Sequence, residues 1–240
     1  MRSDIMSLEK RGWIGNNQDN PFRHCSEKEL LDICTNSKVP IERSLAINEL
    51  GILTKEIATI LLECLTTERA LYTKIYICEK LQTGNSEIAS IMVPYLGKIG
   101  TNQHKILPKK PSKKRSYPLP RDIIARTLSK MDSQVVYTLA EDLEQLNNSE
   151  EQLSELIDAI GYISFYDSTI NKKSVYQNIV KIMEKHHKNN LIIWKSLICL
   201  SAFPQSKSII EYYCNHSELE ILQLEAKRSL SFISKKNESD

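Results

Sequence analysis

The sequence lacks the short motifs on which most enzyme families are built. It has no G-x-x-x-x-G-K-S/T, G-x-G-x-x-G, H-E-x-x-H or G-x-S-x-G. Nucleotide cradles, dinucleotide folds, zinc proteases and serine hydrolases are therefore unsupported. Histidine is scarce, and the pairs His186-His187 and His24-Cys25 are adjacent in sequence, so each pair diverges and neither has ligand spacing. The six cysteines, Cys25, Cys34, Cys64, Cys78, Cys199 and Cys214, contain no C-x-x-C. Most sit in apolar runs and read as small buried hydrophobes. The expectation is no catalytic residue, no cofactor and no metal.

Other absences bear on fold and location. Alternating β-branched and aromatic runs with Asn-Gly turns are missing, which argues against strands. No apolar run approaches the roughly 18–20 residues of a membrane helix. The opening MRSDIMSLEKRGW has acidic residues and no apolar core, so it is not read as a secretory leader. A cytoplasmic protein with no membrane contact is expected.

What is present is helical periodicity. Residues 40–82 read as helix, turn, helix, turn, helix. Pro40 suits a first helical turn, Ile41, Leu45, Ile47 and Leu50 follow at three- and four-residue spacing, and Gly51 closes the run. Ser26-x-x-Glu29 forms a capping box that starts an earlier helix. Thr54 is an N-cap for the next, with Ile57, Leu61, Leu62 and Leu65 inward. Further helices are predicted over about 68–82 and 86–98. Later stripes are Val135, Val136, Leu139, Leu143 and Leu146, then Ile179, Val180, Ile182 and Met183, then Ile209, Ile210 and Tyr213. Trp194 is predicted to be core. The late apolar positions Leu50, Leu81, Met131, Ile160, Leu200 and Leu230 recur at steps of 31, 50, 29, 40 and 30 residues, each followed by a small or polar residue. A step near 30 with two insertions signals stacked helical units that cannot bury their apolar faces singly.

The segments ERSLAINELGIL, SELIDAIGYIS and IWKSLICLSAF resemble the second helix of HEAT repeats, in particular the short bacterial, PBS-lyase-type helical repeats. Arg43 and Lys74 stand seven residues before their apolar anchors, where that family often has a basic residue; Met131, Ile160, Leu200 and Leu230 lack one. The resemblance implies an all-α, right-handed α-α superhelix of about six helical pairs over residues 26–234. Residues 1–25 would form an N-terminal extension, packed through Trp13, Ile14 and Phe22, and 235–240 a disordered tail. Such armadillo-like repeats mostly bind proteins and sometimes nucleic acids, so the expected role is a scaffold that holds a protein partner on a concave face lined by second helices. Some HEAT-like bacterial proteins are alkylpurine DNA glycosylases, and others assist chromophore attachment. The resemblance extends to both by analogy.

Charge distribution separates this chain from a plain repeat. Residues 98–131 hold ten basic residues and one acidic, and residues 132–171 hold nine acidic and none basic, although the whole chain is only +2. The insertion over 100–122 carries Lys105, Lys109, Lys110, Lys113, Lys114, Arg115 and Arg121, and Pro108, Pro111, Pro118 and Pro120 forbid a helix through most of it. Its cations suit an acidic protein surface or phosphates, with Tyr117 free for stacking. The alternative is internal neutralisation by the acidic helices at 141–158. There Glu151, Glu155 and Asp158 share one helix face, read as an exposed face that could meet a basic partner. The acidic block would repel nucleic-acid phosphate, which weighs against a glycosylase.

Overall fold

The computed structural model describes residues 2–15, 19–112, 114, 116–145 and 149–237, with the side chains of 2–5 and 235–237 left aside. It is all-helical, with no strand among the described residues. The chain divides into two compact units, Met1–Met92 and Val93–Asp240. The division falls inside the stretch that the sequence reads as one continuous array.

The first unit holds α1 (Arg2–Glu9), α2 (Glu27–Asn36), α3 (Pro40–Glu49), α4 (Lys55–Thr67), α5 (Leu71–Gln82) and α6 (Ser86–Met92). The start signals act as their chemistry dictates. Ser26 and Glu29 complete the capping box before α2, and the Thr54 hydroxyl accepts from Ile57 N to cap α4. Two boundaries depart from expectation. The helix predicted from about residue 68 begins at Leu71, because Glu68 is extended at the C-cap of α4 and its carboxylate accepts from the backbone of Arg69 and Ala70. The helix predicted to reach about residue 98 stops at Met92, because Pro94 follows and the chain tightens into a short 3-10 turn over Val93–Tyr95. Alternate helices pack: α2 on α4 and α4 on α6 in one layer, α3 on α5 in the other. Leu45, Ile47, Ile57, Leu61, Leu62, Leu65, Ile77 and Leu81 are buried between them. Arg43 joins the layers, its guanidinium donating to both carboxylate oxygens of Glu68 at 2.8 Å and to Ser37 O.

Before α2 the chain lies on α3 and α5. Tyr72 N donates to Arg11 O at 2.9 Å, Ile14 N to Tyr76 Oη at 3.3 Å, and Asn20 Nδ2 to Leu45 O at 3.0 Å. Gly12 allows this approach. Its φ is +85°, and a Cβ there would overlap Ser44 Oγ and the Thr73 backbone. The segment is thus anchored by backbone groups of Arg11 and Ile14 and by the Asn20 side chain, and its start is the helix α1.

The second unit holds α7 (Ile123–Leu128), α8 (Val135–Gln145), α9 (Glu150–Tyr166), α10 (Lys172–Lys185), α11 (Asn190–Leu200), α12 (Lys207–His216) and α13 (Glu220–Asn237). α9 packs on α7 and α11, and α11 on α13, forming one layer; α8 packs on α10 behind it, and α12 pairs with α13. Of the recurring apolar anchors, Leu50, Leu81, Met131, Ile160 and Leu200 are buried, while Leu230 is half-buried. Leu146 lies outside the described residues. α13 runs past Ser234 into the stretch expected to be a tail.

Candidate functional site

The described residues of 97–122 lie over α9, α11 and α13 as a non-helical strap that turns back on itself, so that its first and last residues meet. Its prolines exclude helix, so its backbone groups and side chains take partners from the layer below. Asp122 ties the two ends together. It is fully buried and caps α7, accepting from Ala125 N at 2.8 Å, and it also accepts from Gln103 Nε2 at 2.8 Å and Gly97 N at 3.3 Å. Arg121 donates to His104 Nε2 and to Asn102 Oδ1, both at 2.8 Å. His104 stands edge-on to Trp194 of α11, with centroids 5.0 Å apart.

Tyr117 anchors the middle of the strap. It is 4% exposed. Its ring stacks on Phe165 at 4.5 Å and meets Tyr162, Tyr166 and Phe232 at longer range. Its hydroxyl reaches Gly161, where a side chain would collide with it, and finds no hydrogen-bond partner among the described residues. Arg228 of α13 clasps the strap beside it, donating to Lys114 O at 3.2 Å and Ser116 O at 3.1 Å while lying over Phe232.

Beneath the strap lies a layer of buried charge. Lys195 is 1% exposed and its ammonium sits between Glu155 Oε1, at 3.3 Å, and Asp158 Oδ2. Trp194 Nε1 donates to Glu225 Oε2 at 3.2 Å, and Arg228 donates to Glu225 Oε1 at 2.6 Å. Burial pushes Glu155 up to about 7 against the opposing pull of Lys195, and raises Asp158 and Glu225 for the same reason. Loss of solvent, then the charges of Lys195 and Arg121, push His104 down to about 4, consistent with a neutral ring accepting from Arg121. Burial also raises the Tyr117 hydroxyl and the Cys199 thiol well above their ordinary values. Such groups are poor proton carriers or nucleophiles near neutrality.

Family models, curated proteins and solved structures alike give no match to this chain. Any functional reading therefore rests on the geometry of the strap and the layer beneath it.

The strap separates the residues that the sequence grouped together. Lys105, Lys109, Lys110, Lys114 and Arg121 are exposed; Lys113 and Arg115 lie outside the described residues. Tyr117 is not free for stacking on a partner, because the aromatic slot already holds it. The exposed carboxylate face expected from Glu151, Glu155 and Asp158 is also corrected. Glu151 is exposed, but Glu155 is buried and Asp158 partly so, both turned onto Lys195. Among the described residues no ion pair joins the strap's lysines to the acidic helices over 141–158; Glu144 pairs instead with Lys181. The strap covers the part of the α9–α11–α13 layer around Tyr117 and Trp194. Sequence reasoning missed Lys195, Glu225, Arg228 and His104. Lys195 carries a signal: it is the lone charged residue in the apolar run 191–203, where only a buried counter-charge makes lysine tolerable.

Proposed function

We propose that this chain is a non-enzymatic, HEAT-like helical-repeat adaptor whose basic strap captures an acidic segment of a partner protein. One observation carries the reading: the strap is fastened through Tyr117, Arg228 and Asp122, yet its exposed lysines form no ion pair among the described residues, and only Lys105 has carboxylates nearby. A fixed backbone that presents unpaired cations spares the ordering cost that a flexible basic loop would incur on binding. The alternating helix layers within each unit support the repeat reading.

The partner class is set by the groups between the cations. Ile106 is 74% exposed on the strap beside Lys105, and Leu119 is also exposed near Arg121. Apolar groups interleaved with lysines match a peptide carrying acidic and apolar side chains better than a phosphate chain. Fluorescence anisotropy of a labelled Glu/Leu-rich peptide and of duplex DNA, near physiological salt, tests this. Micromolar peptide binding with weak DNA binding supports it. Tighter DNA binding with a steep salt dependence, or no binding of either, overturns it.

A further inference from the structure

A cavity of about 310 Å³ opens beside the strap, between its first residues and the N-terminal ends of α9 and α11. Gln103 and Lys105 contribute from the strap, Glu150, Glu151 and Glu155 from α9, and Leu191 from α11. Two hydrogen-bond acceptors on this lining are buried and have no partner among the described residues: Glu155 Oε2 and Gln103 Oε1. Neither is an ambiguity of orientation. The Gln103 amide nitrogen already donates to Ile99 O at 2.7 Å and Asp122 Oδ2 at 2.8 Å, so the oxygen is the atom left over. Glu155 is 1% exposed and offers only Oε1 to Lys195.

Unsatisfied buried acceptors ask for a ligand that donates hydrogen bonds. The formal charge gives its sign. Two exposed carboxylates, Glu150 and Glu151, and the buried acid Glu155 line the cavity against one ammonium, Lys105, while His104 is held neutral by its surroundings. At the two helix N-termini the caps take up part of the free N–H groups: Ser149 Oγ accepts from Gln152 N, and Asn189 Oδ1 from Leu191 N and Ile192 N. Leu191 supplies an apolar wall for a short carbon chain. We propose that this cavity is a binding site for an alkylammonium group, its N–H donors taken by Glu155 Oε2 and Gln103 Oε1 and its charge met by Glu150 and Glu151.

A free diamine and a lysine side chain share this chemistry, and calorimetry on the full chain separates them. The probes are 1,4-diaminobutane, N-acetyl-lysine methylamide and the uncharged control 1,4-butanediol. Saturable one-to-one binding of an amine with none of the diol is expected. A preference for the diamine identifies a free small amine, and a preference for the lysine derivative a protein side chain. Glu155→Gln should weaken amine binding about 10- to 100-fold, the range of one charge-assisted hydrogen bond. Because Glu155 also faces Lys195, Glu151→Gln at an exposed position is the second variant, with a several-fold loss expected. Lys105→Ser should tighten the amine by removing a like charge, whereas it should weaken an acidic peptide on the strap. Amines that bind no better than the diol, or equally well to Glu155→Gln and Glu151→Gln, overturn the assignment.

Discussion

Gly161→Ala is expected to destabilise the protein, against its helix propensity. Gly161 lies inside α9, where alanine ordinarily gains about 1 kcal/mol over glycine. The structure reverses the sign. A methyl group there would overlap Tyr117 Oη and approach Cys199 Cα and Cβ of α11 at 3.0 and 3.1 Å. The first clash is relieved only if Tyr117 withdraws from its slot, giving up burial and ring contacts of about 2–4 kcal/mol. The second requires α9 and α11 to part, and over-packing of this kind costs about 1–3 kcal/mol. Set against the propensity gain, the net loss should be about 2–6 kcal/mol. Urea unfolding followed by far-UV circular dichroism measures it. Repeating Gly161→Ala in a Tyr117→Ala background isolates the cause. Without the ring only the Cys199 contacts remain, so the cost should shrink by about 2 kcal/mol or more. A stabilised Gly161→Ala, or the same cost in both backgrounds, would refute the claim that the strap's tyrosine and the α9–α11 contact require glycine.

Tyr117→Phe removes a buried hydroxyl that has no partner among the described residues while keeping the ring, so the urea midpoint should hold or rise, by up to about 1 kcal/mol in stability. Arg228→Ala should cost about 3–5 kcal/mol, because it strands the buried Glu225 carboxylate as well as releasing Lys114 O and Ser116 O. Adding Glu225→Gln should recover part of that loss, and trypsin should cut the strap faster in both variants. The pH dependence of stability contains opposed contributions. The folded state holds the Glu155 proton up to about 7 from an ordinary 4.5, so stability falls as pH rises through that window. The folded state refuses a proton on His104 down to about 4 from an ordinary 6.5, so stability rises with pH across an overlapping window. His104→Asn deletes the second contribution, and urea midpoints at about pH 5 and about pH 7 should then show a steeper fall with pH than in the parent chain.

Legibility followed the range of the interactions involved. The capping box at Ser26 and Glu29, the Thr54 cap and the apolar stripes are local signals, and the helices obey them. Pro94 is a local signal too, and it ends α6 earlier than the apolar stripe alone suggests. The cations of the strap are visible in the sequence, but their backing is not. Tyr117 sits among lysines and prolines, a context that reads as solvated; its slot is built by Phe165 of α9 and Phe232 of α13, distant in sequence. Glu155 and Asp158 look like an exposed face because their i, i+3 spacing gives direction on a helix and not what the helix faces. The residue they face, Lys195, lies 40 and 37 positions further on.

The central claim is that the strap's lysines serve binding and its tyrosine serves the fold. Replacing Lys105, Lys109, Lys110 and Lys114 together by Ser, and measuring thermal unfolding alongside anisotropy of the acidic peptide, tests it most directly. The melting temperature should stay within about 2 °C of the parent, since exposed unpaired lysines contribute little. Peptide affinity should fall at least about tenfold, roughly 1.4 kcal/mol or more. A collapse in stability, or an affinity left unchanged, would contradict the account.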